Sequence, residues 1–243
     1  MTKLRAWLRI TALVLTLIYY LFGLILKTKI FGRKRERGLS YRRKYIRVSL
    51  RILGVELEKH GQQADFPALY VSNHRSLLDP LINLLYIDAV IVSKAEVSKY
   101  PLIGIGAKLT GVIFVQRQEG SSRAAAKEAI RKALLNGLPV LIYPEGTTSN
   151  VPATQEFKLG SFAVAAAENI PVVPVAVEYR NPDHKWNEGG LLPFFVRKFS
   201  APKIEAFTAI GDPFVSNDPQ VVMKKSRAWI DDQVTKVNQK WKG

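Results

Sequence analysis

The chain has 243 residues, no cysteine, 47% apolar and 23% charged residues, and a net charge of +16. That length holds one large domain, or a domain with an appendage, and the composition is that of a folded rather than a disordered chain. The lack of cysteine excludes disulfides, thiolate metal sites and a cysteine nucleophile, and it fits a reducing compartment.

The charge is unevenly placed. Residues 1–51 carry 14 Lys or Arg and a single acid, Glu36, so about a fifth of the chain holds +13 and the rest +3. Within this segment Ile10–Leu26 is an uncharged apolar run of 17 residues, at the lower limit of the roughly 17–25 that a spanning helix needs. Arg5 and Arg9 precede it, and Lys27, Lys29, Arg33, Lys34, Arg35 and Arg37 follow it, so basic residues on both sides blur the positive-inside rule. The run continues into Lys-Thr-Lys-Ile-Phe without a small-residue cleavage site. It reads as an uncleaved membrane anchor that spans, re-enters or lies in the interface; a buried core helix is the alternative. Residues 33–51 predict a second helix, with Tyr41, Tyr45, Ile46, Val48, Ser49 and Ile52 set among basic residues. Anionic headgroups attract such a segment by about 1 kcal/mol per basic residue. The expected partner of this charge is therefore an anionic membrane surface and not nucleic acid. The expected organisation is a helical anchor over residues 1–53 and an α/β domain over 54–243.

After Leu53-Gly54 the pattern changes. Strands are predicted at Val55–Lys59, Ala68–Ser72, Ala89–Ser93, Val112–Gln116, Pro139–Tyr143, Val172–Glu178 and Ile204–Ile210. Helices are predicted at Leu77–Tyr86, Ser121–Asn136, Lys158–Glu168 and Gln220–Trp241, and a loop at 181–190. The alternation predicts an α/β fold with a mixed, largely parallel sheet flanked by helices. The runs at 139–143 and 172–177 are almost wholly apolar, as strands covered on both faces are.

Chemistry concentrates at strand ends. In Ala68–Pro80 (ALYVSNHRSLLDP) His74 follows a strand and Asp79 opens the next helix. A carboxylate there can hold one ring nitrogen and leave the other to take a proton from a hydroxyl, the base and orienter of a triad without its nucleophile. On spacing alone the same residues also read as a turn histidine and a helix N-cap. Three further stretches stand beside them: Gly111–Arg117 (GVIFVQR), Tyr143–Ser149 (YPEGTTS) and Val172–Val177 (VVPVAV). His60 and His184 lack partners at ligand spacing, so no metal site is expected. Ser76 reads as a turn hydroxyl and Trp186 and Trp229 as packing residues.

The four stretches, in this order, resemble the four motifs of the glycerolipid acyltransferase family, the PlsC-type enzymes, closely over residues 68–180. The resemblance implies a glycerol-3-phosphate acyltransferase-like α/β fold. It implies that His74 is the base that activates a lysolipid hydroxyl against an acyl thioester, with Asp79 as its orienting carboxylate and Asn73 shaping the turn. By the same resemblance Gly111 and Arg117 belong to acceptor headgroup binding, and Glu145, Gly146 and Thr147 to acceptor binding and site geometry. Pro174 is associated with acyl-chain packing. Lys94 matches a lysine that faces a phosphate or the oxyanion, with a solvated helix start as the alternative. Where many lysophosphatidate acylating members have Arg after the turn, this chain has Thr148, which cannot make a charge-assisted contact to a phosphate. The acceptor expected is 1-acyl-sn-glycerol-3-phosphate, giving phosphatidate, with lyso-ornithine lipid as the alternative; a catalytically silent lipid-binding protein is the reading from another class. No cofactor is expected beyond acyl-CoA or acyl carrier protein as co-substrate, and the expected location is the cytoplasmic face of the inner membrane.

Overall fold

The computed structural model describes residues 2–100, 102–115, 120–185 and 191–243. Two helices lead: α1 (Thr2–Phe31) and α2 (Arg35–Leu53). They form an antiparallel pair in which Gly23 lets Tyr41 approach closely; a Cβ there would lie 3.1 Å from the ring. α1 is long and apolar enough to cross a membrane, and only 11% of its apolar window is buried. Tyr19, Phe22, Leu15 and Leu8 are among its exposed residues, so it is a candidate anchor. α2 is amphipathic and sends Ile46, Leu50 and Leu53 into the main core. Gly54, at φ +69°, ends it by donating its N–H to Arg51 and Leu50 carbonyls, a conformation that suits glycine.

The remaining elements follow as β1 (Val55–His60), β2 (Leu69–Ser72), α3 (Asp79–Tyr86), β3 (Val90–Lys94), α4 (Ile103–Thr110), β4 (Val112–Val115), α5 (Gly120–Leu135), β5 (Val140–Ile142), α6 (Gly160–Ala167), β6 (Val172–Tyr179), α7 (Leu191–Lys198), β7 (Ile204–Ile210) and α8 (Pro219–Lys240), with short 3-10 turns at Ala95–Lys99 and Pro182–His184. The strands form one seven-stranded sheet in the order β1-β7-β6-β2-β5-β3-β4. β4, β3, β5, β2 and β6 run parallel; β7 is antiparallel to β6, and β1 is parallel to β7. The sheet is thus mixed and largely parallel, as the alternation predicts.

β2, β5 and β6 are buried along their whole length. Tyr70, Leu141, Val173 and Val175 pack with α2 and α3 on one face; Leu69, Val71, Val140 and Ala176 pack with α5, α6 and α8 on the other. Helices on both faces are what an apolar parallel strand requires. Chain order reverses about β2: the chain leaves β2 for β3 on one side and returns from β5 to β6 on the other. In open α/β sheets ligands bind outside the strands' carboxyl ends at such a point.

α4 and α7 stand where the sequence predicts no helix. α4 carries Gly104 and Gly106, poor helix formers, yet a Cβ at Gly104 would lie 2.2 Å from the Ser98 carbonyl and one at Gly106 3.3 Å from Leu21. Close packing against neighbours, not propensity, selects those glycines.

Candidate active site

The site is built on the loop that leaves β2. Asn73 extends the β2–β6 ladder with its side chain, donating Nδ2 to Val177 O and accepting Val177 N–H, both at 2.8 Å. This fixes the chain direction one residue before His74. His74 Nδ1 lies 2.7 Å from Asp79 Oδ2, and the imidazole retains 16% exposure while the carboxylate has none. Oδ2 also accepts the backbone N–H groups of Arg75 at 2.5 Å and Ser76 at 2.8 Å. Oδ1 accepts Tyr179 Oη at 2.7 Å. The N-cap of α3 is Leu78, without a side-chain bond; the Asp79 carboxylate instead reaches back over the preceding loop. Asp79 thus binds the histidine and the loop that carries it and is not the side-chain N-cap of α3.

The carboxylate offers Nδ1 of His74 an acceptor, and the tautomer with its proton on Nδ1 has its lone pair on Nε2. Tyr143, just past β5, stacks on the ring with centroids 4.2 Å apart and planes at 25°, and its Oη accepts Asn83 Nδ2 at 3.2 Å. Burial, with Asp79 nearby, pushes the phenols of Tyr143 and Tyr179 well above the usual tyrosine range, so both keep their protons.

The turn after β5 comes to the other side of His74. Glu145 accepts His74 N–H at 2.8 Å on Oε1 and Gln155 N–H at 3.0 Å on Oε2, and Ser149 N–H donates to His74 O at 2.9 Å. Burial pushes the Glu145 carboxyl up, opposed by the two N–H donors. Behind the loop, Arg75 is fully buried and donates to the carbonyls of Val151 (2.7 Å) and Pro152 (3.1 Å). Its Nε lies 3.4 Å from Glu178, which Lys185 reaches at 2.8 Å from the other side.

The family model described as Acyltransferase matches residues 55–178, just over half of the chain. The chain belongs to the Acyltransferase family. Similar proteins include a lyso-ornithine lipid O-acyltransferase of Rhizobium meliloti, 32% identical over 141 residues that cover 58% of this chain and 48% of that protein. A 1-acyl-sn-glycerol-3-phosphate acyltransferase of Chlamydomonas reinhardtii is 36% identical over 115 residues, 46% of this chain and 34% of its own. The chain thus spans about half the length, or less, of these curated relatives. The crystal structure of the 1-acyl-sn-glycerophosphate acyltransferase PlsC from Thermotoga maritima superposes with a TM-score of 0.75 over 98% of both chains at 21% identity, a likeness of fold.

The acyltransferase motifs are distributed unequally around His74. His74, Asp79, Asn73 and Glu145 form one bonded unit. Gly146 follows at φ +76°, and a Cβ there would lie 2.5 Å from Lys158 Nζ, so the glycine lets that ammonium lie over the turn. Thr147 is exposed and Thr148 partly so. Lys94 ends β3 in register with Val115, at the same carboxyl edge; its side chain lies outside the described residues. Gly111 closes α4 at φ +85° and sits at the amino end of β4, four residues or about 13 Å of strand from the carboxyl edge. There it turns the chain from α4 into β4. Arg117 lies outside the described residues, as does Trp186. Pro174 is buried inside β6, where Gly211 donates its N–H to Pro174 O at 2.9 Å, and a Cβ on Gly211 would lie 2.9 Å from the proline ring.

Sequence reasoning missed Tyr143, Tyr179, Arg75, Glu178 and Lys158. Tyr143 opens the recognised YPEGTTS stretch, which was a usable signal, and Lys158 lies beyond its end. Tyr179 lies 100 residues from Asp79 and nothing local marks it.

Proposed function

We propose that the protein transfers an acyl chain from an acyl thioester to the free hydroxyl of a lysolipid, with 1-acyl-sn-glycerol-3-phosphate as acceptor and phosphatidate as product. The observation that carries this reading is the His74–Asp79 pair: a half-buried imidazole, its tautomer held by a carboxylate with no exposure, at the carboxyl edge of the central strands. Nε2 removes the proton of the acceptor hydroxyl as its oxygen attacks the thioester carbonyl. The C–O bond forms, the resulting oxyanion collapses, the C–S bond breaks, and the departing thiolate takes the proton back from the imidazolium. The leaving group is good enough that no covalent enzyme intermediate is needed, and proton removal contributes about 10²–10⁴-fold. Lys158 over the Gly146 turn, with Lys94 and Arg117, supplies positive charge for the acceptor's anionic headgroup. The donor is acyl-CoA or acyl carrier protein, with no other cofactor. α1 holds the enzyme at a membrane, on the cytoplasmic face of the inner membrane.

Neutral Thr148 favours a second reading, in which the acceptor is lyso-ornithine lipid, the substrate named for the Rhizobium meliloti relative. Purified protein in detergent, given labelled acyl-CoA or acyl carrier protein and a panel of lysolipids, separates the two. Acylation of lysophosphatidate is the expected result. Acylation of lyso-ornithine lipid alone replaces the first reading by the second. Undiminished transfer by His74→Ala would falsify the mechanism in both.

A further inference from the structure

Asp79 is the hub of the site, and its two oxygens are used differently. Oδ2 takes the imidazole and two backbone amides, all from the six residues His74–Asp79 itself. Oδ1 takes the hydroxyl of Tyr179, from the far end of β6. It joins the local loop to β6 beside the Asn73–Val177 pair, and nothing local requires it. Resting on the reading of His74 as base, we infer that Tyr179 is a positioning residue for the acyl transfer: by donating to Asp79 Oδ1 it fixes the carboxylate plane against His74 and sets how tightly the pair holds its proton.

A phenol O–H on a carboxylate draws off negative charge and lowers its pull on the imidazolium that forms during the reaction. With Oδ2 occupied three times over, Oδ1 is the oxygen at which a single donor changes the charge that His74 meets. Tyr179 can serve as a permanent donor because burial and the neighbouring Asp79 keep its proton in place. The other ionisable groups near the pair are committed elsewhere. Tyr143 stacks on the ring and accepts from Asn83. Glu145 is bound to the His74 and Gln155 amides. Glu178, next to Tyr179, faces Arg75 and Lys185, and Arg75 holds the carbonyls of the 149–153 loop.

Tyr179→Phe removes the donor and keeps the ring. Its kcat should fall about tenfold, and the acid limb of its kcat–pH profile should move up by about one pH unit, because the pair now holds its proton more tightly. KM for donor and acceptor should stay within about twofold. 3-Fluorotyrosine placed at position 179 retains the shape and is a stronger donor, so its acid limb should move the other way. His74→Ala is measured alongside. An unmoved acid limb in both Tyr179 variants, with His74→Ala inactive, overturns the inference and leaves the base assignment standing. Transfer that survives His74→Ala overturns both. Opposite shifts in the two Tyr179 variants establish the coupling.

Discussion

Around His74 one buried carboxylate gathers four donors, whereas in the N-terminal 53 residues a set of arginines gathers carbonyls. Arg9 donates to Phe199, Ala201 and Pro202 and Arg5 to Ser200, just past the end of α7. Arg37 donates to Lys27 and Gly32 at the end of α1. Arg33 reaches Lys108 in the last turn of α4, and buried Arg42 reaches Ile87 and Ala89 beyond α3 and Thr110 closing α4. The last carbonyls of a helix lack intrahelical donors and carry partial negative charge. Arg5, Arg9, Arg33, Arg37 and Arg42 thus spend their donors on backbone carbonyls at or just beyond the ends of four helices. The lesson is that a charge run is not a ligand site until its partners have been counted. What remains outward includes Lys27, Lys29, Lys34, Lys44, Arg47 and Arg51, all exposed.

The contrast can be broken by substitutions on each side of it. Asp79→Asn keeps the shape of the hub and removes its charge, so kcat should fall about 10²–10⁴-fold in steady-state acyl transfer; a fall below tenfold would show that the carboxylate is only a loop fastener. Glu178→Ala leaves the fully buried Arg75 guanidinium without its carboxylate. It should lose about 3–5 kcal/mol in denaturant unfolding. Arg42→Met removes the cation from three carbonyls and should cost about 2–3 kcal/mol by the same measurement; burial already pulls this guanidinium down to about 10, against the pull of Asp88. Arg47→Gln should leave the unfolding midpoint where it is and weaken binding to anionic vesicles about fivefold at low salt. If Arg42→Met and Arg47→Gln behave alike, the division between capping and lipid-facing cations is wrong.

The smallest effect concerns His184, which burial and Lys198 push below its ordinary value of 6.5. The unfolded chain then takes the proton first, so stability should decline as pH falls through about 6.5. His184→Phe should flatten that part of the curve; an unchanged slope would show that His184 does not set it.

The motif sequence around His74 was legible because its geometry is local. Six residues from His74 to Asp79 carry the imidazole, the carboxylate it binds and the amides that hold that carboxylate, and a strand end followed by a helix start leaves little freedom in how they meet. The apolar runs of β5 and β6 were legible because full burial leaves no polar face to obscure them. Less local features were not. α7 begins with a proline in its first turn, which reads as a loop although that position tolerates it, and α4's glycines make sense only against Ser98 and Leu21.

By itself the sequence determined the family, the mixed α/β fold, the His74–Asp79 pair and an apolar N-terminal helix, because each is written in contiguous residues whose spacing and polarity carry the signal. Only the tertiary structure decided that Glu145 holds the His74 amide from 71 residues away, that Tyr179 donates to the Asp79 carboxylate, that Gly111 turns the chain into β4, and that several N-terminal arginines donate to carbonyls near helix ends. Those contacts join segments far apart in the chain, and a buried polar group takes whichever partner the packed sheet brings within reach.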